Sequence, residues 1–281
     1  MGEDTALHRA LEAARAWPVE HVSAGVVRAG EGLVAAFGDT GRPYRLASVT
    51  KPLSAYALLV AIEEGALDPD QPAGPEGATV RHLLAHTGGV DFASRDVRSA
   101  PGTRRIYSNS GFEILGELLE AETGMPFAAY ADEAVFAPLG MTDTRIEGSP
   151  AAGGVSTVAD LSRFAAELLA PRLLAPETVA EATAAVFPGL RGVLPGFGSQ
   201  ADNTWGLGFE VRGQKAPHWT GSRNSPETFG HFGQSGTFLW VDPQAGLATI
   251  ALTDRDFGPW AAEVWPPFSD GVLAAATATG A

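Results

Sequence analysis

The alternation of apolar and polar positions divides the chain into three stretches. Residues 4–16 carry Leu7, Leu11 and Ala14 at helical spacing, which predicts a helix ending before Pro18. His21–Val27 and Leu33–Phe37 are short and β-prone around Gly30-Glu31-Gly32, the pattern of a hairpin. Leu53, Ala57, Val60 and Ala61 then recur at helical spacing, with Gly65 as a stop. The middle of the chain keeps the helical period. Val80–Ala85 predicts a short helix, and Phe112, Leu115, Leu118 and Leu119 line one side of the next. Residues 126–137 and 156–170 predict two more, the second capped by Ser156 or Thr157, and Pro176–Ala185 a shorter one. From about residue 204 the period changes. Trp205–Arg212, Gly236–Val241 and Leu247–Leu252 read as strands, and the last two are apolar at nearly every residue, so both their faces are covered. An Ala-rich helix is predicted over 266–277.

Strands at both ends with helices between predict an α+β fold, with one sheet closed by both termini. The expected division is residues 1–70 plus 190–281 for the sheet part and 71–189 for an inserted, mostly helical part. At 281 residues, 45% hydrophobic and 19% charged, the chain has enough apolar side chains for a sizeable core. The net charge of -14 argues against nucleic acid, whose phosphates it would repel, and against a polybasic membrane anchor. With no cysteine, disulfides, thiolate metal sites and cysteine nucleophiles are excluded. No apolar run approaches the length of a membrane span. The start, Met1-Gly2-Glu3-Asp4, is acidic and lacks the basic-then-apolar pattern of a signal peptide, so a cytoplasmic location is expected.

Candidate chemistry begins at Leu46-Ala47-Ser48-Val49-Thr50-Lys51-Pro52. Ser48 and Lys51 stand three residues apart at the mouth of a helix and so on one face of it. The chain has 19 Lys+Arg, and only Lys51 and Lys215 are lysines. A desolvated lysine can lose its proton and act as a base, which an arginine cannot. Tyr107-x-Asn109 and His231-Phe232-Gly233 follow in order. Of the four tyrosines only Tyr107 has Asn two residues on. Taken singly, a helix-start serine, a core tyrosine and a packed histidine are the ordinary readings. Together they are chemically coherent: Ser48 needs a base, Tyr107 and Lys51 can share a proton, and a Gly-flanked strand edge can offer a backbone N–H to an oxyanion. Trp219-Thr220-Gly221 mimics the third motif, but Ser222-Arg223-Asn224-Ser225 after it is loop-like. His82 and His86 stand at i, i+4, yet Leu83 occupies the place of the glutamate that the zinc-protease helix requires, so no metal site is expected.

These motifs, with Val-Arg-His-Leu-Leu-Ala-His-Thr-Gly-Gly at 80–89 and the stretches 153–164 and 229–242, make the chain resemble the penicillin-recognising serine hydrolases. The likeness is to the branch holding class C β-lactamases, D-alanyl-D-alanine carboxypeptidases and β-lactamase-like carboxylesterases. The resemblance implies an antiparallel sheet flanked by helices, a mostly helical domain, and a site between them. It implies acylation of Ser48, proton movement by Lys51 and Tyr107, and Asn109 holding Lys51 and the substrate carbonyl. It places the oxyanion between the N–H groups of Ser48 and Gln234, the residue after Gly233. It implies no cofactor, and a small ester or amide as substrate. His231 stands where many β-lactamases carry Lys, which favours esters over lactams. The alternatives are a β-lactamase or D-alanyl-D-alanine carboxypeptidase or D-aminopeptidase, and a catalytically silent binding module, against which the intact Ser48, Lys51 and Tyr107 argue.

Overall fold

The structure, a computed structural model, describes residues 3–277. Helix α1 (Glu3–Leu11) leads through a 3-10 turn into the hairpin β1 (Val22–Arg28) and β2 (Gly32–Phe37). The short strand β3 (Tyr44–Arg45) delivers the chain to α2 (Thr50–Glu63). The helices α3 (Val80–Leu84), α4 (Asn109–Thr123), α5 (Phe127–Ala131) and α6 (Ala137–Leu139) follow, then β4 (Arg145–Ile146), β5 (Gly154–Ser156), α7 (Val158–Leu169) and α8 (Pro176–Thr183). The chain closes with the hairpin β6 (Gly192–Leu194) and β7 (Gly198–Gln200), then β8 (Glu210–Val211), β9 (Phe229–Gly233), β10 (Thr237–Asp242), β11 (Leu247–Thr253) and α9 (Pro259–Thr277).

Among the described residues the main sheet has six strands in the order β2-β1-β11-β10-β9-β8, and every pairing is antiparallel. Its centre joins the first strand of the chain to the last, so both termini build it. The period-2 alternation sorts its side chains into two cores. Phe238 and Trp240 of β10 pack with Leu7 and Leu11 of α1 and with Trp265 and Phe268 of α9. Leu239 and Val241 face the other way, onto α2 and α7. Each such side chain, fully withdrawn from water, contributes roughly 1.5–3 kcal/mol.

Several elements differ from expectation for identifiable reasons. Helix α2 is buried at every position from Thr50 to Ala61, so the stripe read from the sequence is only part of its apolar surface. It threads between the sheet and the helical region. Of the strand expected over 205–212, only Glu210–Val211 joins the sheet; Trp205 bridges back to Glu210, Gly206 N–H donates to Phe209 O, and Gly208 has φ 86°, which turns the chain. The helix expected over 126–137 is broken by a π turn at Asp132–Phe136. Helix α9 starts at Pro259 rather than 266, with Pro266 and Pro267 inside it.

Candidate active site

The nucleophile turn is fixed from both sides. Strand β3 pairs with β5, and Leu46 N–H donates to Gly154 O at 2.8 Å. Ala47 then takes a left-handed φ of 46°, a conformation that costs a non-glycine residue on the order of 1 kcal/mol. Ser48 follows in the 3-10 turn Ala47–Val49 that runs into α2. Thr50 Oγ1 donates to Ala47 O at 2.6 Å and accepts Gly154 N–H at 2.8 Å. From the sheet, Thr237 Oγ1 donates to Leu46 O at 2.8 Å. Gly233 closes against the same turn. A Cβ there would lie 2.2 Å from Leu46 O, so β9 approaches the turn this closely only with glycine at that position.

Lys51 is fully buried, with four oxygens around Nζ: Asn109 Oδ1 at 2.6 Å, Tyr107 Oη at 2.7 Å, Ala151 O at 3.1 Å and Ser48 Oγ at 3.4 Å. Tyr107 Oη lies 2.7 Å from Ser48 Oγ. The two carbonyl oxygens can only accept, so they engage two hydrogens of Nζ in either charge state. In the neutral amine the lone pair is then left to Tyr107; in the ammonium a third hydrogen takes its place. The path Ser48–Tyr107–Lys51 is therefore made of two short bonds, shorter than the direct contact from Ser48 to Lys51. Burial lowers the Lys51 pKa to about 7, offset slightly by the Glu113 carboxylate. Burial raises the Tyr107 phenol well above its ordinary value, against a smaller lowering by the bond to Ser48. Near neutral pH the lysine is thus the group poised between charge states.

Tyr107 and Asn109 are presented by the entry to α4. Ser108 caps that helix, its Oγ accepting Gly111 N–H at 2.9 Å and donating to Asp91 O at 2.6 Å. His86, at φ 57°, accepts Ser108 N–H on Nδ1 at 3.2 Å, and its ring lies 4.7 Å from that of Tyr107. It therefore supports the Tyr107 backbone from behind. His82 is bonded to Thr79 and stacked on Phe187, and the two histidines form no metal-binding cluster among the described residues.

His231 comes from β9 and is buried. Its Nδ1 lies 2.6 Å from Phe232 O. A carbonyl only accepts, so Nδ1 carries the proton, and Nε2 is a bare acceptor, buried and without a partner. Burial first, then the Lys51 charge, lower the His231 pKa to about 3, so the ring is neutral throughout the physiological range. Gln234, exposed, directly follows β9, and its side chain donates to Phe257 O at 3.3 Å. Trp219 of the look-alike triad lies in the other core, its indole N–H bonded to Glu210.

Ser48, Phe92, Tyr107, Trp205, His231 and Gln234 line one cavity of about 330 Å³. The structure brings together every residue singled out in the three motifs. No sequence motif points to Ala151, whose carbonyl holds Lys51, or to Trp205, whose ring lies 5.7 Å from Tyr107 and 5.3 Å from His231. A backbone carbonyl has no residue signature, and Trp205 was read as part of a strand. His86 stood out only as half of a metal pair.

The arrangement is a serine beside a buried lysine–tyrosine pair. The β-lactamase family model matches residues 16–272, and the chain belongs to that family of serine hydrolases. Its structure superposes on a β-lactamase from Mycobacterium bovis with a TM-score of 0.94 at 55% identity, covering 95% of this chain and 99% of that one. A protein of Escherichia coli O157:H7 with the provisional name D-alanyl-D-alanine carboxypeptidase is 24% identical over 85% of this chain and 75% of its own. Esterase EstB of Burkholderia gladioli is 31% identical over 37% of this chain and 40% of its own. No helix among the described residues is long and apolar enough to cross a membrane.

Proposed function

We propose that the protein is a carboxylesterase that works through an acyl-enzyme on Ser48. The observation that carries this reading is the bonded chain from Ser48 Oγ through Tyr107 Oη to Lys51 Nζ, ending on a lysine whose pKa lies near 7. Neutral Lys51 takes the Tyr107 proton as Tyr107 takes that of Ser48, and Oγ attacks the ester carbonyl. The backbone N–H groups of Ser48 and Gln234 hold the oxyanion. The proton returns through Tyr107 to the leaving alcohol, and water repeats the sequence to release the acid. Asn109 fixes Lys51 and the substrate carbonyl.

His231 sets the substrate class. A neutral, buried imidazole whose one N–H is taken by Phe232 O gives a carboxylate neither charge nor donor, and β-lactams and D-Ala-D-Ala peptides both carry a carboxylate. Lactam hydrolysis is the second reading, favoured by the name of the 55% identical Mycobacterium bovis protein. One preparation assayed on a butyrate ester, a cephalosporin and a D-Ala-D-Ala peptide, with Ser48→Ala as the blank, separates them. The ester is expected to have the highest kcat/KM; lactam or peptide turnover equal to it would reverse the assignment. A fluorophosphonate probe is expected on Ser48 alone, and a label on another serine would remove the mechanism.

A further inference from the structure

Two hollows share Gln234 as a wall, one of them holding Ser48, and they differ in kind. The cavity of about 330 Å³ carries Ser48 and Tyr107 at one end and is walled by Phe92, Trp205, Leu194 and Phe232. The second, of about 300 Å³, runs past Ala47 and Gly154 between Arg45, Glu147 and Asp256, whose side chains are exposed and charged. Gln234 lines both. With its N–H as an oxyanion donor, the scissile carbonyl sits at the boundary, so the two arms of an ester part there.

Tyr107 decides which arm goes where. In the mechanism proposed above, it returns the proton to the leaving oxygen; its hydroxyl lies 2.7 Å from Ser48 Oγ, and both residues line the aromatic cavity and not the charged groove. The alcohol arm must therefore lie in the cavity and the acyl arm in the groove. An ethoxy group brings three heavy atoms into this cavity and 2-phenylethoxy nine, so the second covers far more of its apolar wall. Phe92 points to the same occupant. It is a large apolar side chain left 49% exposed, yet its backbone is pinned, its carbonyl accepting Asn109 N–H at 2.9 Å. Its ring stacks on Tyr107 at 5.9 Å, which leaves one aromatic surface free at the mouth.

We infer that the preferred substrates are esters of bulky apolar alcohols, arylalkyl alcohols above all, joined to a small or polar acid. The assignment rests on the esterase reading, and the test separates the two. Acetates of ethanol, butanol and 2-phenylethanol all pass through the same acetyl-Ser48, and their alcohols have near-equal acidity, so kcat/KM reports the alcohol arm alone. It is expected to rise from ethyl to 2-phenylethyl acetate by at least about thirtyfold, within the range that a filled apolar pocket supplies. Ethyl 3-phenylpropanoate, with the ring on the acid, is expected within about threefold of ethyl acetate, since the charged groove offers it no apolar burial. Phe92→Ser is expected to lower the ratio of 2-phenylethyl to ethyl acetate about tenfold, with fluorophosphonate labelling of Ser48 as the control for folding. A flat alcohol series, or a preference for the ring on the acid, overturns the inference and leaves the esterase standing. No turnover of any ester, with lactam turnover instead, overturns both.

Discussion

Lys51 is the residue whose placement costs the fold and would supply the proposed base. Its ammonium has no carboxylate beside it, only carbonyl and hydroxyl oxygens, so burial lowers its pKa from 10.5 to about 7. If neutral Lys51 is the base, kcat/KM on a butyrate ester falls about tenfold per pH unit below about 7, and the limb persists when His231 is replaced. The same shift acts on stability. Between about pH 7 and 10.5 the unfolded chain binds this proton and the folded chain does not, so stability rises with pH through that window. From pH 7 to 9 the contribution is about 2 kcal/mol. Lys51→Met is expected to abolish turnover and to remove that rise, which urea unfolding at the two pH values would measure; an unchanged rise would place the titration elsewhere. At this scale the sequence was informative where chemistry demands a residue type at a spacing: Ser48, Lys51, Tyr107 and Asn109 meet as the motifs imply. It was silent on the Ala151 carbonyl and on Trp205, because what makes them part of the site is position alone.

The elements carry the tolerances of the site. Ser48 hangs on a 3-10 turn pressed between β5 and the end of β9, and Gly233 sets the spacing. In Gly233→Ala the new methyl would overlap Leu46 O, so β9 must retreat and take the Gln234 N–H with it. A displacement on that scale costs about a hundredfold in kcat, and the overpacking about 1–3 kcal/mol of stability. Measuring kcat and denaturant midpoint on one variant checks both, and normal kcat would mean that Gln234 does not serve the oxyanion. Helix α7 offers a simpler case. Thr157 Oγ1 accepts Asp160 N–H at 3.1 Å, one of the two caps the sequence offers beside Ser156, and Thr157→Ala is expected to cost about 1 kcal/mol with kcat unchanged. Caps and apolar runs were legible because they are local. The Ala-rich composition indicates a helix only over 266–277, whereas Pro259 holds the first turn and Trp265 packs the earlier segment into the core. The strand expected over 205–212 failed for the opposite reason: Gly206 and Gly208 break a run whose composition alone favours β structure.

At the scale of the whole molecule, the sheet gathers both ends of the chain, and its strand order explains why strands at the termini and helices between were enough to indicate the fold class. The composition held a second clue that the motifs did not use. Both lysines are buried: Lys51 in the site, Lys215 against Glu210. Glu210, on the edge strand β8, collects Lys215, His218 and Trp219, and so fastens residues 215–219 to the sheet next to the cavity. Thr220 N–H donates to His218 Nδ1, so Nε2 carries the hydrogen and donates to Glu210 at 2.9 Å with the ring neutral. Burial works against the carboxylate charge, but His218 and Lys215 outweigh it and hold Glu210 well below the ordinary range. The group therefore folds as one ion pair with two neutral donors. Replacing Glu210 by Gln keeps the shape and removes the charge, which leaves the Lys215 ammonium buried and unpaired. Losing one partner of such a pair costs about 3–5 kcal/mol, whereas replacing the pair together by apolar groups is often neutral. Glu210→Gln is thus expected to lose that much by urea unfolding, and Glu210→Gln with Lys215→Met to regain most of it. If the double variant is no more stable than the single one, the cluster is held by its hydrogen bonds rather than by its charges.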